Sequence, residues 1–185
     1  MWTVMTEALE LLSAAAAAGE DHRDAPTPCG DWTVTQVLQH AAGDQLAWAA
    51  ALGTGTGPDV NPFEPSGSVS GSLARLIEPA IETAGKAWAA VGVAAPVPTP
   101  LPQGALPAAT AAAACALDAA VHAWDVLTAL GLPSGLTPRP AAELLPAARE
   151  LTEPLRQYGA YAPALTPGTG DDTVAELLQI GRAHV

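Results

Sequence analysis

From Ala108 to Leu130 the chain runs AATAAAACALDAAVHAWDVLTAL, with no proline or glycine until Gly131. Proline is favoured at the opening of a helix and glycine just past its end, so Pro107 and Gly131 bracket one helix from about Pro107 to Leu130. Alanine fills little volume, so a helix of this composition gains burial only by lying close against others. Strands favour β-branched and aromatic residues, and here there are one Phe and two Tyr. Leu, Val and five Trp must supply the core.

The other segments read the same way. Residues 3–18 form a first helix ending at Gly19, followed by the polar link GEDHRDAPTPCGD. Thr33 and Gln36 match a capping box, in which a hydroxyl and an amide satisfy orphan backbone groups, and a second helix continues to about Leu52. GTGTGPDVNPFEPSGSVSGS is rich in turn formers and reads as loop. A third helix is expected from Ser70 or Ser72 to Val91, with Pro79 tolerated only near its first turns or at a kink. The five prolines of GVAAPVPTPLPQGALP exclude regular helix and predict an extended crossing. A fifth helix opens at Thr137-Pro138 and reaches roughly Gln157, and a last short one lies near Asp172 to Ile180. With 185 residues and no internal repeat, the expectation is a single all-α domain over 1–185, a four-helix bundle with long crossover loops and an extra C-terminal helix.

Nineteen acidic against seven basic residues give a net charge of −12. Nucleic-acid binding needs a basic footprint, and an anionic membrane surface needs the same, so no nucleic acid and no membrane are expected as partners. The N-terminus lacks a basic region, and Glu7 and Glu10 interrupt its apolar run, so it does not read as a secretory signal. No breaker-free apolar stretch of about 20 residues is present. The expected location is the cytoplasm. Cys29 and Cys115 are far apart, and nothing in their pattern calls for a disulfide.

Within the alanine-rich helix, Cys115, Asp118, His122 and Asp125 follow spacings of 3, 4 and 3, so they form one stripe. In the second helix His40 has apolar flanks, and Asp44 sits one turn later on the same face. Asp118 and His122 at i, i+4 can converge on one ion, and His40 from a facing helix would complete a two-histidine, one-carboxylate set with open positions. A solvated i, i+4 pair and a hydrogen-bonded core histidine explain the same spacings, and spacing does not show that the helices face each other.

TPCGDWTVTQVLQHAAGD resembles the first signature of the DinB-like metal-binding bundles, in the branch related to mycothiol-dependent maleylpyruvate isomerase. DAAVHAWDVLTALG looks like the second, usually Glu-x-x-x-His-x-Trp-Asp, about 80 residues further on. The resemblance implies a divalent metal held by His40, Asp118 and His122, zinc first, with nickel or iron as alternatives. Asp118 stands where the family often has Glu, which shortens the reach by about 1.5 Å. Trp32 and Trp124 are expected to pack near the site. Asp125 is expected to accept a hydrogen bond from Trp32, a backbone N–H or His40. Cys115 could place a thiol beside the site but reads first as a small buried residue. Cys29 is given a packing role, and His22 and His184 none.

Two functions compete. One is a metal-dependent transferase or isomerase that uses a small-molecule thiol of the mycothiol type. The other is a non-catalytic metal-binding or stress-associated protein. The second is expected to work as a homodimer. Arginine and lysine are scarce, which leaves few partners for an anionic substrate.

Overall fold

The computed structural model describes residues 2–159, 161–166 and 168–180, so the tail with His184 lies outside the described residues. Six helices are present among them: α1 (Thr3–Gly19), α2 (Val34–Ala51), α3 (Leu73–Ala90), α4 (Ala108–Ala129), α5 (Pro138–Arg156) and α6 (Thr173–Ile180). The protein is an all-α bundle. Helix α1 packs on α3 and α4, and α2 packs on the same two, so α1 and α2 lie diagonally across the bundle. Helix α5 covers α4 from outside, and α6 lies on α5.

The sequence explains these choices. Along α1 the buried positions are Met5, Ala8, Leu9, Leu12, Ala15, Ala16 and Gly19, the three-and-four spacing of one helical face. Helix α4 meets α1, α2 and α5, so it is buried around most of its circumference, and small residues such as Ala111, Ala116, Ala119 and Ala123 let its neighbours approach. The capping box forms as expected: Gln36 N–H donates to Thr33 Oγ1 at 3.4 Å, and Thr33 N–H donates to Gln36 Oε1 at 3.0 Å.

Three prolines lie inside helices whose limits match the expected ones, with Ser72 and Val91 capping α3 and Thr137 and Gln157 capping α5. Pro79 lies inside α3 past its first turn, and Pro146 and Pro154 lie inside α5. Each removes an intrahelical N–H, at a typical cost of about 3 kcal/mol. Buried Ile77, Ala80 and Ala84 on α3, and Leu144, Leu151 and Leu155 on α5, hold the helices through them.

The proline-rich crossing is not wholly irregular. Pro96–Val97 (β1) pairs antiparallel with Leu106–Pro107 (β2), forming a short hairpin that projects Pro100, Leu101 and Pro102. The loop after α2 does not hang free either. Gln36 Nε2 donates to Pro65 O at 3.2 Å, Gln39 Nε2 donates to Ser68 O at 2.9 Å, and Gly67 N–H donates to Gln39 Oε1 at 2.8 Å. These bonds fold it back along α2. Gly43 permits the approach, because a Cβ there would stand 2.7 Å from Pro62 Cγ. No described helix is long and apolar enough to cross a membrane.

Candidate metal centre

Helices α2 and α4 pack side by side, and this contact brings the two sequence signatures together. His40 comes from α2, and Asp118 and His122 come from α4; all three line one cavity of about 680 Å³. His40 and His122 are buried, with ring centroids 4.7 Å apart and planes at 88°. His122 Nε2 stands 3.4 Å from Asp118 Oδ1, and His40 Nε2 stands 3.7 Å from the same oxygen. Asp44 adds a second carboxylate, with Oδ2 3.8 Å from His40 Nε2.

The far side of each imidazole is fixed. His122 Nδ1 meets Asp125 Oδ2 at 3.1 Å, and His40 Nδ1 meets the Pro62 carbonyl at 3.1 Å. A carbonyl can only accept, so His40 Nδ1 carries the proton there. The carboxylate of Asp125 sets the same tautomer at His122 when that ring is neutral. Both rings then present an unprotonated Nε2 to Asp118, the arrangement that ligating histidines use. Ligand atoms about 2.1 Å from one ion in a tetrahedron stand about 3.4 Å from each other. The separations between each Nε2 and Oδ1 therefore suit a shared cation better than direct hydrogen bonds.

The electrostatics point the same way. Burial would lower the His122 pKa, but the Asp118 charge and the polar contacts of His122 with Asp118, Asp125 and Cys29 outweigh it and hold it well above the usual value. Burial would raise Asp118, yet the two imidazoles and Gln45 bring it below the ordinary carboxylate range. Asp44 is pushed well up, first by burial and then by the negative charge of Asp118. Two half-buried carboxylates thus share the floor, and in the metal-free protein a proton on His122 supplies compensating positive charge. A divalent cation would do so more fully. The donor set fits such an ion, and the His40, Asp118 and His122 donor atoms lie within 4.8 Å of one another.

Two residues of this centre were not anticipated. Gln45 is fully buried at the α2–α4 contact and donates to Asp118 Oδ2 and to the Cys115 carbonyl, both at 3.3 Å. It also accepts a bond from the Cys115 thiol at 3.2 Å. Cys29, expected only to pack, lines the cavity and groups with His122 and Asp125 in a second buried cluster of ligand-type side chains. Its loop is stapled by a Pro26–Thr33 bridge and by Thr27, whose hydroxyl donates to Trp32 O at 2.8 Å and accepts from Cys29 N–H at 3.1 Å. Gly30 makes the turn at φ 58°, a left-handed value that glycine adopts without strain.

The remaining expected residues divide. Trp32 lines the cavity, with its ring 5.1 Å from that of His40. Trp124 does not line it: two positions beyond His122, it faces another side of α4 and packs half-buried against the core. Asp125 bonds His122, one turn back on its own helix, which was not among the partners expected for it. Cys115 lies behind the floor rather than in it, bonded to Gln45 and to Trp88 Nε1 at 3.4 Å. Burial pushes its thiol well up, so it is held as a neutral, inert group. Both cysteines are free.

Two buried histidines and a half-buried carboxylate at the seam of two bundle helices, opening on a cavity, make a set of side chains of the kind from which helical bundles build metal sites. Residues 4–127 match the family described as mycothiol maleylpyruvate isomerase N-terminal domain, and the chain belongs to that family. It is also 33% identical over 137 residues to "Uncharacterized protein MT0763" of Mycobacterium tuberculosis CDC 1551, covering 72% of this chain and 69% of that protein. The same figures hold for "Uncharacterized protein Rv0738" of strain H37Rv. No solved structure matches the chain.

Proposed function

We propose that the protein is a divalent-metal-dependent enzyme that binds a small thiol of the mycothiol type for group transfer or isomerisation. His40, Asp118 and His122 would hold the ion, zinc in the first instance. The observation that carries this reading is the convergence of both Nε2 atoms on Asp118 Oδ1, with an acceptor behind each Nδ1. A cation of this kind acts as a Lewis acid that lowers the pKa of a thiol or water beside it.

The chain's own groups perform the rest. Asp125 and the Pro62 carbonyl keep the two Nε2 atoms free to ligate. Gln45 fixes the rotamer of Asp118. Asp44, pushed up by burial and by Asp118, can hold and return a proton at the cavity floor. Trp32 and Leu117 line the cavity beside these groups and exclude water from them. The thiol partner is supported by the family described for mycothiol chemistry. Free cysteines accord with a reducing, cytoplasmic setting, and sedimentation of the purified chain tests the expected homodimer.

The deciding experiment is metal analysis of purified protein followed by zinc titration of the chelator-stripped form, with melting monitored. Stoichiometric, stabilising zinc is expected. Absence of native metal together with an unchanged melt on adding zinc would end the reading. Mycothiol binding by the zinc form then separates the enzyme from a non-catalytic metal protein.

A further inference from the structure

We propose that the cavity takes an apolar small molecule carrying no net negative charge, neutral or cationic, and rejects dicarboxylates. This rests on the cavity being the working site of the proposed function and names its substrate class. The carboxylates of Asp31, Asp44 and Asp118 line it, and among the described residues no arginine or lysine does. Arg156 follows the cavity residue Leu155 in sequence. It directs Nε to Glu153 Oε2 at 2.9 Å and Nη2 to the Ile180 carbonyl at 3.1 Å, at the contact between α5 and α6.

A dianion entering this space would meet carboxylates with no arginine or lysine in the lining to receive it, and the positive charge on His122 is already matched by Asp118 and Asp125. A divalent ion on the floor would be matched by Asp118 and, once it displaces the proton Asp44 can hold, by Asp44, so it leaves little surplus positive charge for a dianion. Like charges brought together in a partly desolvated space discriminate strongly between ligands of one shape.

The walls indicate what is accepted instead. Phe63 and Tyr158 line the cavity while remaining 53% and 73% exposed, so two aromatic rings stand toward solvent from separate segments. Aromatic rings grouped around a concave opening, unlike single exposed ones, mark a contact surface. Leu101, Val121 and Leu155 continue the apolar lining. A volume of about 680 Å³ is in the range that encloses a drug-sized molecule. An apolar body is therefore gripped by the walls, and a cationic group is favoured by the carboxylates and by the ring faces.

The test uses three probes of one shape: 2-naphthylmethylamine, 2-naphthalenemethanol and naphthalene-2,3-dicarboxylate. Binding to the full chain is read by calorimetry, both zinc-loaded and chelator-stripped. The amine and the alcohol are expected to bind at least about tenfold tighter than the dicarboxylate in both forms. Asp31→Arg, at an exposed loop position, is expected to narrow that gap by about tenfold or more. Equal or tighter binding of the dicarboxylate to the unmodified chain overturns the proposal, and so does failure of the alcohol and the amine to bind at millimolar concentration. The stripped form separates this outcome from failure of the metal site, because the same order is expected there without zinc.

Discussion

Replacing Gly43 by alanine should weaken metal binding without removing any ligand. Ordinarily a glycine-to-alanine change inside a helix stabilises by about 1 kcal/mol. At Gly43 the added methyl would lie 2.7 Å from Pro62 Cγ and 2.8 Å from its Cβ, against 3.4–4 Å for ordinary contact. The pyrrolidine ring cannot swing aside as a flexible side chain would, so the loop must retreat by about 0.7 Å. The Pro62 carbonyl travels with it. Its distance from His40 Nδ1, now 3.1 Å, would grow to about 3.8 Å, past the range of an N–H···O bond. Loss of the acceptor behind a ligating histidine typically costs about 10- to 100-fold in metal affinity. Overpacking of about 1–3 kcal/mol should meanwhile cancel or exceed the helix-propensity gain. Competition between the stripped protein and a chromogenic chelator for zinc measures the affinity, and thermal melts measure stability. Gly85→Ala on α3 is the control, because nothing lies within 4 Å of its added methyl. It should raise stability and leave zinc affinity unchanged. If Gly43→Ala binds zinc within twofold of the parent, the Pro62 carbonyl does not govern His40 and the reasoning fails.

Four further outcomes can be checked. His40→Ala and His122→Ala should each abolish high-affinity zinc binding while the helical circular dichroism stays; metal retained by both variants would place the ligands elsewhere. Gln45→Leu leaves Asp118 without its amide donor and should lower zinc affinity by about tenfold, with little effect on helix content; an unchanged affinity would show that Asp118 is held by other means. Zinc affinity should fall as pH drops below the raised pKa of His122, by about tenfold per unit for each proton displaced. The same shift predicts that the stripped protein carries full stability from this group below its ordinary value of 6.5 and loses it as pH rises through the raised value. Melting points flat from pH 6 to 9, a span of about three units around neutrality, would contradict that assignment.

What was legible in the sequence was whatever one helix can express by itself. Pro107 and Gly131 marked the ends of α4, Thr33 and Gln36 marked the start of α2, and the spacing from Asp118 to His122 placed two donors on one face. Gln45 was invisible for the opposite reason. Five residues past His40 it shares no simple stripe with it, and only the passage of α4 buries it against Asp118. Cys29 and Phe63 likewise reach the cavity through loops whose course depends on bonds from Thr27, Gln36 and Gln39. Helices α3 and α5 run through their prolines to the expected limits, because tertiary burial prevails over a local propensity that opposes the helix. Trp124 was placed near the centre by its neighbour in sequence, whereas helical rotation carries it to another side.

The cavity is assembled from two parts of the chain with different standing. Its floor, His40, Asp118 and His122, lies within the stretch shared with the family, residues 4–127, whereas Leu155, Tyr158 and Tyr161 come from beyond it. The residues that would hold an ion thus lie wholly inside that stretch, while the walls straddle its limit, with Phe63, Leu101 and Val121 within it and three side chains beyond. A chain cut at the family boundary would therefore keep the floor and lose one wall.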